Sequence, residues 1–386
     1  MTGTSGDGTL LAAPVALARA RTSPESSSPT MKSLDMRHLL RMSDDVGLFE
    51  HANGAIPRRE HGYCVDDVSR GLLVLCREPF PSEAAVELSG RYLTFLAHAQ
   101  GPDGSFHNRL GYDRRWQDKP GTGDWWGRAL WGLGTAAACS PAPWIRDAAL
   151  GFFERGAHHR PAYLRSTAFA ALGAAQVLTV DPTHRLARAL LADAVLAIGV
   201  PATGVAAVTP TPAATATADH AAPDRNWPWP QDRLAYGNAI LPEVLLLAGR
   251  LLGDEAALAH GLLLLGWLLD VESTDGHLSP TPTGGRGPAQ RRPGFDQQPI
   301  ETAALADACA TAFSITADPR WATGVRLAAA WFTGDNDTGT AMYDPVTGGG
   351  YDGLTVAGRN TNQGAESTLA LLSTLQQDRR LRTEHP

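Results

Sequence analysis

An alternation in its connections is what most limits how this chain can fold. From Ser33 onward apolar residues recur at helical spacing, as in Ala85, Leu88, Tyr92, Leu96 and Ala99, or Trp126, Leu130, Leu133 and Ala137. The pattern predicts helices near 34–42, 65–77, 83–99, 125–139, 144–156, 163–178, 183–198, 239–252, 255–270, 299–315, 318–332 and 364–376. Within pairs the joins are short and carry breakers: EPFPS, SPAP, DPT, Gly253-Asp254 and Ala317-Asp318-Pro319. Between pairs, four joins are long and rich in Gly and Pro, near 100–124, 199–238, 271–298 and 333–363. Five hairpins, with the last helix pairing with the first, are enough to close a ring. The expected fold is all-α, an (α/α)6 toroid over 33–378, with an N-terminal tail at 1–32 and a short tail at 379–386.

This order of joins has a functional consequence. If the first helix of each pair is the inner one, every long loop and every inner-helix N-terminus lies on the same rim. Candidate chemistry belongs there. The stretch TPTPAATATADHAAPD is low-complexity and reads as an excursion without a catalytic role. FLAHAQGPDGSFHN and WLLDVESTDGHLSP each enter an Asp-Gly turn after an outer helix, a weak internal echo.

The formal charge of -7 comes without a basic block, which excludes the electrostatic footprint of a nucleic-acid binder. The apolar run around 261–271 is too short to span a bilayer. Cys64, Cys76, Cys139 and Cys309 stand far apart, without metal-ligand spacing, and read as buried reduced thiols in a cytoplasmic protein. His158-His159 and the scattered His51, His61 and His107 have no metal-ligand spacing either, so neither metal nor cofactor is expected.

Five rim segments carry the unusual residues. PRREHGYCVDDVSR sets Arg58, Arg59, Glu60, His61, Tyr63, Asp66 and Asp67 before an apolar helix. A first-turn carboxylate suits the helix dipole, so one of the two aspartates needs no further explanation. GTGDWWGRALWGLG places Asp124, Trp125, Trp126 and Arg128 at the next inner helix. Trp126 fits a buried stripe, whereas Trp125 points elsewhere, as an indole stacked on a sugar ring would. NWPWPQDRLAYGNAILPE holds Trp227 and Trp229 among prolines, then Tyr236 and Asn238. GFDQQPIETAALADA and GRNTNQGAESTLALL bring Asp296, Gln297, Gln298 and Glu301, then Asn360, Asn362, Gln363 and Glu366, to inner-helix starts.

Paired carboxylates facing one cavity are what glycosidic cleavage requires, one as proton donor and one to activate water or attack the anomeric carbon. The candidate acids are Asp66, Asp67, Asp124, Glu301 and Glu366. The expected sugar contacts are His61, Tyr63, Trp125, Trp126, Arg128, Trp229, Tyr236, Asn238, Asp296, Gln298 and Asn362. The chain lacks the G-x-S-x-G elbow and the G-x-x-x-x-G-K-[ST] phosphate loop. A glycan-binding protein without turnover would use the same rim. A toroidal epimerase would need paired inward histidines, and an isoprenoid cyclase would need an aromatic, acid-poor cavity.

Taken together, SDDVGLFEHANGAIPRREHGYCVDDVSRGLLVL, GDWWGRALWGLG, FDQQPIETAALADAC and YDGLTVAGRNTNQGAESTLALL resemble a family of bacterial (α/α)-barrel proteins associated with glycosyltransferases and with enzymes acting on β-mannosides. The resemblance covers most of 40–375 and implies a role in bacterial glycan metabolism, with an oligosaccharide or glycoconjugate substrate and a glycosyltransferase partner. Its matching positions are His61, Tyr63, Asp66, Asp67, Asp124, Trp126, Arg128, Asp296, Gln298, Glu301, Asn362, Glu366 and Ser367. The departures are Pro230-Gln231-Asp232 and Tyr236-Gly237-Asn238, where the family pattern is more acidic.

Overall fold

The computed structural model describes residues 34–200, 227–288, 290 and 292–384. The expected tail at 1–32 and the low-complexity stretch lie outside them. From Leu34 onward the described residues form one compact unit with twelve helices. They are α1 (Arg37–Arg41), α2 (Val65–Arg77), α3 (Glu83–Ala99), α4 (Asp124–Cys139), α5 (Pro143–Gly156), α6 (Leu164–Val180), α7 (Arg185–Ile198), α8 (Ile240–Leu252), α9 (Glu255–Val271), α10 (Pro299–Thr316), α11 (Pro319–Thr333) and α12 (Ala365–Glu384). Side chains capture backbone N–H groups at several outer-helix starts, with Ser82, His184, Asp254 and Asp318 as caps. Because α12 runs to Glu384, the helical domain extends past the boundary expected at 378.

Each even-numbered helix from α2 to α10 packs against the helix that follows it, and α1 packs on α12. The six even-numbered helices also contact one another in sequence around a circle, with α12 returning to α2. That closed inner ring with an outer layer is the expected (α/α)6 toroid. α4 sits closest to its neighbours because glycines line two of its faces. A Cβ on Gly134 would overlap the Gly173 carbonyl of α6, and one on Gly132 would press on the Ser69 carbonyl of α2.

Among the described residues the rim loops hold four two-stranded antiparallel ribbons that helical periodicity could not reveal: β1 (Ala52–Asn53) with β2 (Ile56–Pro57), β3 (Tyr63–Cys64) with β4 (Arg109–Leu110), β5 (Ser273–Thr274) with β6 (His277–Leu278), and β7 (Leu354–Thr355) with β8 (Gly358–Arg359). The echo around the second Asp-Gly is the β5–β6 turn, where Asp275 and Gly276 both have positive φ. Cys64, Cys76 and Cys309 are buried and unpaired, as expected, but Cys139 is exposed at the end of α4. Among the described residues no helix is long and apolar enough to cross a membrane.

Candidate active site at the inner-helix rim

The β3–β4 ribbon shapes the start of α2. It places Cys64 opposite Arg109, and the Val65 N–H donates to the Asn108 carbonyl at 2.8 Å. Asp66 and Asp67 follow in the first turn, and Arg70 lies one turn farther along. α12 begins beside them, held by backbone bonds from Ala365 to the Glu50 carbonyl and from Gln363 to the Gly54 carbonyl. Asp352 fixes the same end, accepting from the Gly364 N–H at 2.7 Å and from the Ser367 hydroxyl.

These elements enclose a polar cavity of about 250 Å³. Asp66, Asp67 and Arg70 line it from α2, and Gly364, Glu366 and Ser367 from the start of α12. Gln298 contributes from before α10, and Glu50, His51, Cys64, Arg109 and Asp352 from the loops and ribbons. Arg70 divides its guanidinium, with Nη1 meeting Asp67 at 2.6 Å and Nη2 meeting Glu366 at 2.7 Å. Arg128 of α4, buried over the Phe169 ring at 3.8 Å, brings its Nε within 3.1 Å of Asp66. Arg109 pairs with both oxygens of Glu50.

The acids sit in different environments. Burial pushes the Asp67 carboxyl up to about 8, against the opposing pull of Arg70. Its Oδ1 receives the Arg70 bond at 2.6 Å. Burial also raises Asp66, with Arg128 and Arg70 acting in the other direction. The Glu366 side chain is 40% exposed. Asp124 stands at the start of α4 and accepts from the Ser166 hydroxyl at 2.9 Å and the Tyr236 hydroxyl at 2.6 Å. Burial and that bond push the Tyr236 phenol up to about 12.

Asp66, Asp67, Glu366 and Gln298 therefore meet in one cavity. Asp124, Tyr236 and Arg128 stand beside it on α4 and on the loop entering α8. His61 lies at the mouth, its ring edge-on to His51 at 4.9 Å, and Asn362 helps line an adjoining groove at the β1–β2 ribbon.

Other expected site residues lie elsewhere, each for a structural reason. Glu301 is buried but does not line the cavity. It accepts from the Gly237 N–H, from the Asn238 N–H at 3.2 Å and from the Asn238 side chain at 3.0 Å, bracketing the loop before α8. Burial, reinforced by the Glu272 charge, pushes its carboxyl up to about 7. Asn238 is wholly buried in that bracket and also meets Arg165 at 3.3 Å. Tyr63 stacks on Phe49 in the core, its hydroxyl bound to Asp44 at 2.6 Å. Trp126 is fully buried, consistent with its stripe. Trp229 stacks on Trp267 of α9 with centroids 5.8 Å apart, so the Pro-spaced indoles pack on an outer helix. Trp125 covers Gly121 and Gly123 and donates to the Phe106 carbonyl at 2.7 Å instead of facing the cavity. Asp296 is exposed on the loop before α10 and does not line the cavity.

Glu50, His51, Arg70, Arg109 and Asp352 were not anticipated as site residues. Arg70 alone left a local trace, since it follows Asp66 and Asp67 by four and three residues, the spacing of side-chain neighbours on a helix. Glu50, Cys64 and Asp67 could offer a cation three atoms within 4.8 Å of one another. Glu50 already holds Arg109, and burial keeps the Cys64 thiol protonated, so this trio lacks a thiolate.

No family model matches the sequence, and no curated protein matches it. Solved structures do. A sugar epimerase from a ruminal bacterium is similar over 91% of this chain and 95% of its own, with a TM-score of 0.64 at 12% identity. A GH76 α-mannanase from Bacteroides thetaiotaomicron covers 90% and 95%, with a TM-score of 0.59 at 10% identity. A D-mannose isomerase covers 88% and 95%, with a TM-score of 0.58 at 10% identity. At such identities the likeness is one of fold, and it places this chain among toroids of paired helices.

Proposed function

We propose that the chain is a carbohydrate-active enzyme of bacterial glycan metabolism that cleaves a glycosidic bond, with mannosides as the first substrates to test. The bond lies across the polar cavity. The observation that carries this reading is the shared Arg70 guanidinium, which holds Asp67 and Glu366 on separate terminal nitrogens. Their bound oxygens are therefore no more than about 8 Å apart, compatible with the carboxyl pairs of glycosidases. Asp67 holds a proton at neutral pH, and Arg70 engages its Oδ1, which leaves Oδ2 to present to a leaving group. Glu366, open to solvent beside a cation, directs water or phosphate at the anomeric carbon. Gln298, Arg128 and the Asp124–Tyr236 pair orient hydroxyls. A cytoplasmic setting and a glycosyltransferase partner belong to the same proposal, and the unpaired buried cysteines are in keeping with the former.

A screen of manno- and gluco-oligosaccharides, with and without phosphate and read by product chromatography, tests it. Shorter sugars or a sugar phosphate should appear, and Asp67→Asn and Glu366→Gln should each lower turnover by roughly a hundredfold or more. Full turnover in both variants would sink the assignment, and saturable binding without product on prolonged incubation would mark a glycan-holding protein.

A second reading, sugar isomerisation, has one observation in its favour. His51 lines the cavity and touches His61, whose Nε2 is buried without a hydrogen-bond partner among the described residues. The similar epimerase and isomerase folds support it as well. None of the six inner helices carries a histidine, which ranks this reading second. Its mark in the same screen would be an altered reducing end with no cleavage.

A further inference from the structure

Beneath the polar cavity lies a second, apolar chamber, and the two share Arg70 and Glu366 as common walls. Leu73, Trp131, Phe169, Ile240, Ala304 and Leu369 are among its apolar walls. Apart from the Trp131 indole N–H, which has no hydrogen-bond partner among the described residues, its polar groups stand at its ends. At the upper end Arg70 and Glu366 are paired with each other, and Arg128 lies against the Phe169 ring. At the lower end Asp307 is saturated by Arg77 at 3.0 Å, Gln377 at 2.6 Å and the Ser373 hydroxyl at 3.4 Å. A hydroxyl entering the chamber would lose its water and find at most the Trp131 N–H to replace it, whereas a methyl group would leave water at no such cost.

The chamber is also small. Its volume of about 50 Å³ is a third of the ~150 Å³ cavity that accepts a benzene ring, so a pyranose does not fit inside. Resting on the carbohydrate reading above, we infer that the chamber is a specificity subsite for a methyl-terminated substituent of the sugar in the polar cavity, either the methyl of a deoxy sugar or that of an acetamido group. The ring and its hydroxyls stay with Asp67, Glu366 and Gln298, and the methyl drops past the Arg70–Glu366 pair onto Trp131 and Phe169.

Calorimetric titration of the wild-type protein with matched pairs tests this: mannose against 6-deoxymannose, and glucosamine against N-acetylglucosamine. One methyl-bearing sugar should bind at least about tenfold tighter than its partner, and the pair that shows the difference identifies the substituent. Ala304→Leu fills the chamber and should erase that preference while leaving the plain sugar's affinity within about twofold. Ala370→Val, on the neighbouring inner helix α12, repeats the test if the larger residue prevents folding. Equal affinities within both pairs, or a preference that survives in the filled variants, would overturn the subsite and leave the carbohydrate reading intact. Absence of binding by every sugar would overturn both.

Discussion

Arg70 of α2 and Glu366 of α12 meet at 2.7 Å, joining the first and last inner helices at the level where the polar cavity gives way to the apolar chamber. The same guanidinium holds Asp67, so one side chain serves ring closure and site geometry together. Arg70→Met leaves Asp67 and Glu366 without their shared cation. Asp67 is protonated at pH 7 and the Glu366 side chain is 40% exposed, so what is lost is a charge-assisted hydrogen bond and a part-exposed ion pair, about 1–3 kcal/mol. Urea unfolding at pH 7 should show a loss of that order, with turnover on any accepted oligosaccharide falling by roughly a hundredfold. A variant with wild-type stability and rate would show the cluster to be incidental.

Asp67 makes stability depend on pH in a definite direction. Its carboxyl titrates at about 8 in the folded chain and near 3.8 when unconstrained. Between those values the native state binds more protons than the unfolded state, so this group's contribution to stability declines as pH rises from about 4 to about 8 and levels off above. Asp67→Asn mimics the protonated form and removes that decline. Its unfolding free energy should match wild type near pH 4 and exceed it by roughly 2 kcal/mol or more at pH 8. The wild-type pH–rate profile should fall through about 8 as the proton donor ionises. Parallel stability curves for the two proteins across this range would contradict the assignment.

Tyr236 ties the loop before α8 to Asp124 at the start of α4, across 112 residues of sequence. Tyr236→Phe removes only the hydroxyl, and Asp124 keeps its bond from Ser166. Stability should change by no more than about 1 kcal/mol. Turnover should fall about tenfold if the pair orients substrate, and steady-state kinetics beside a melting curve separate the two effects.

Glu301 offers a contrast with Asp67. Glu301→Gln keeps one acceptor but sets an amide N–H against the Gly237 and Asn238 donors, so the loop bracket opens. A loss of about 1–3 kcal/mol is expected. The fall in rate near pH 8 should remain, since Asp67 is untouched. Disappearance of that limb in Glu301→Gln would move the proton donor to α10.

Two glycines test the packing of the ring. In Gly173→Ala the new methyl overlaps the Leu130 carbonyl of α4, forcing apart the inner helices at a cost of about 3 kcal/mol. Gly151 is exposed on α5 with open space around its Cβ position, so Gly151→Ala should stabilise by roughly 0.5–1 kcal/mol. Opposite shifts of the urea midpoint are the expected outcome.

The sequence by itself determined the twelve helices and their order, because 3.6-residue apolar spacing and the breakers between paired helices are local properties. The alternation of short and long joins also gathered the inner-helix starts on one rim, and Asp66, Asp67, Gln298 and Glu366 line a common cavity there. Tertiary structure decided which carboxylates share that cavity. Glu301 stands in the first turn of its helix as Glu366 does in its own, yet one bonds buried backbone amides and the other faces the cavity. A residue's position along a helix does not report its orientation around the closed ring. Arg109 joined the site through a ribbon two residues long and Glu50 and Asp352 joined it from loops, none of which leaves a period, and the tryptophans turned into the core because an indole buries equally well against Trp267 or a sugar. The apolar chamber under Arg70 and Glu366 had no trace in the sequence. Its walls come from residues that each read as ordinary core, and only the closing of the ring sets them around a common space.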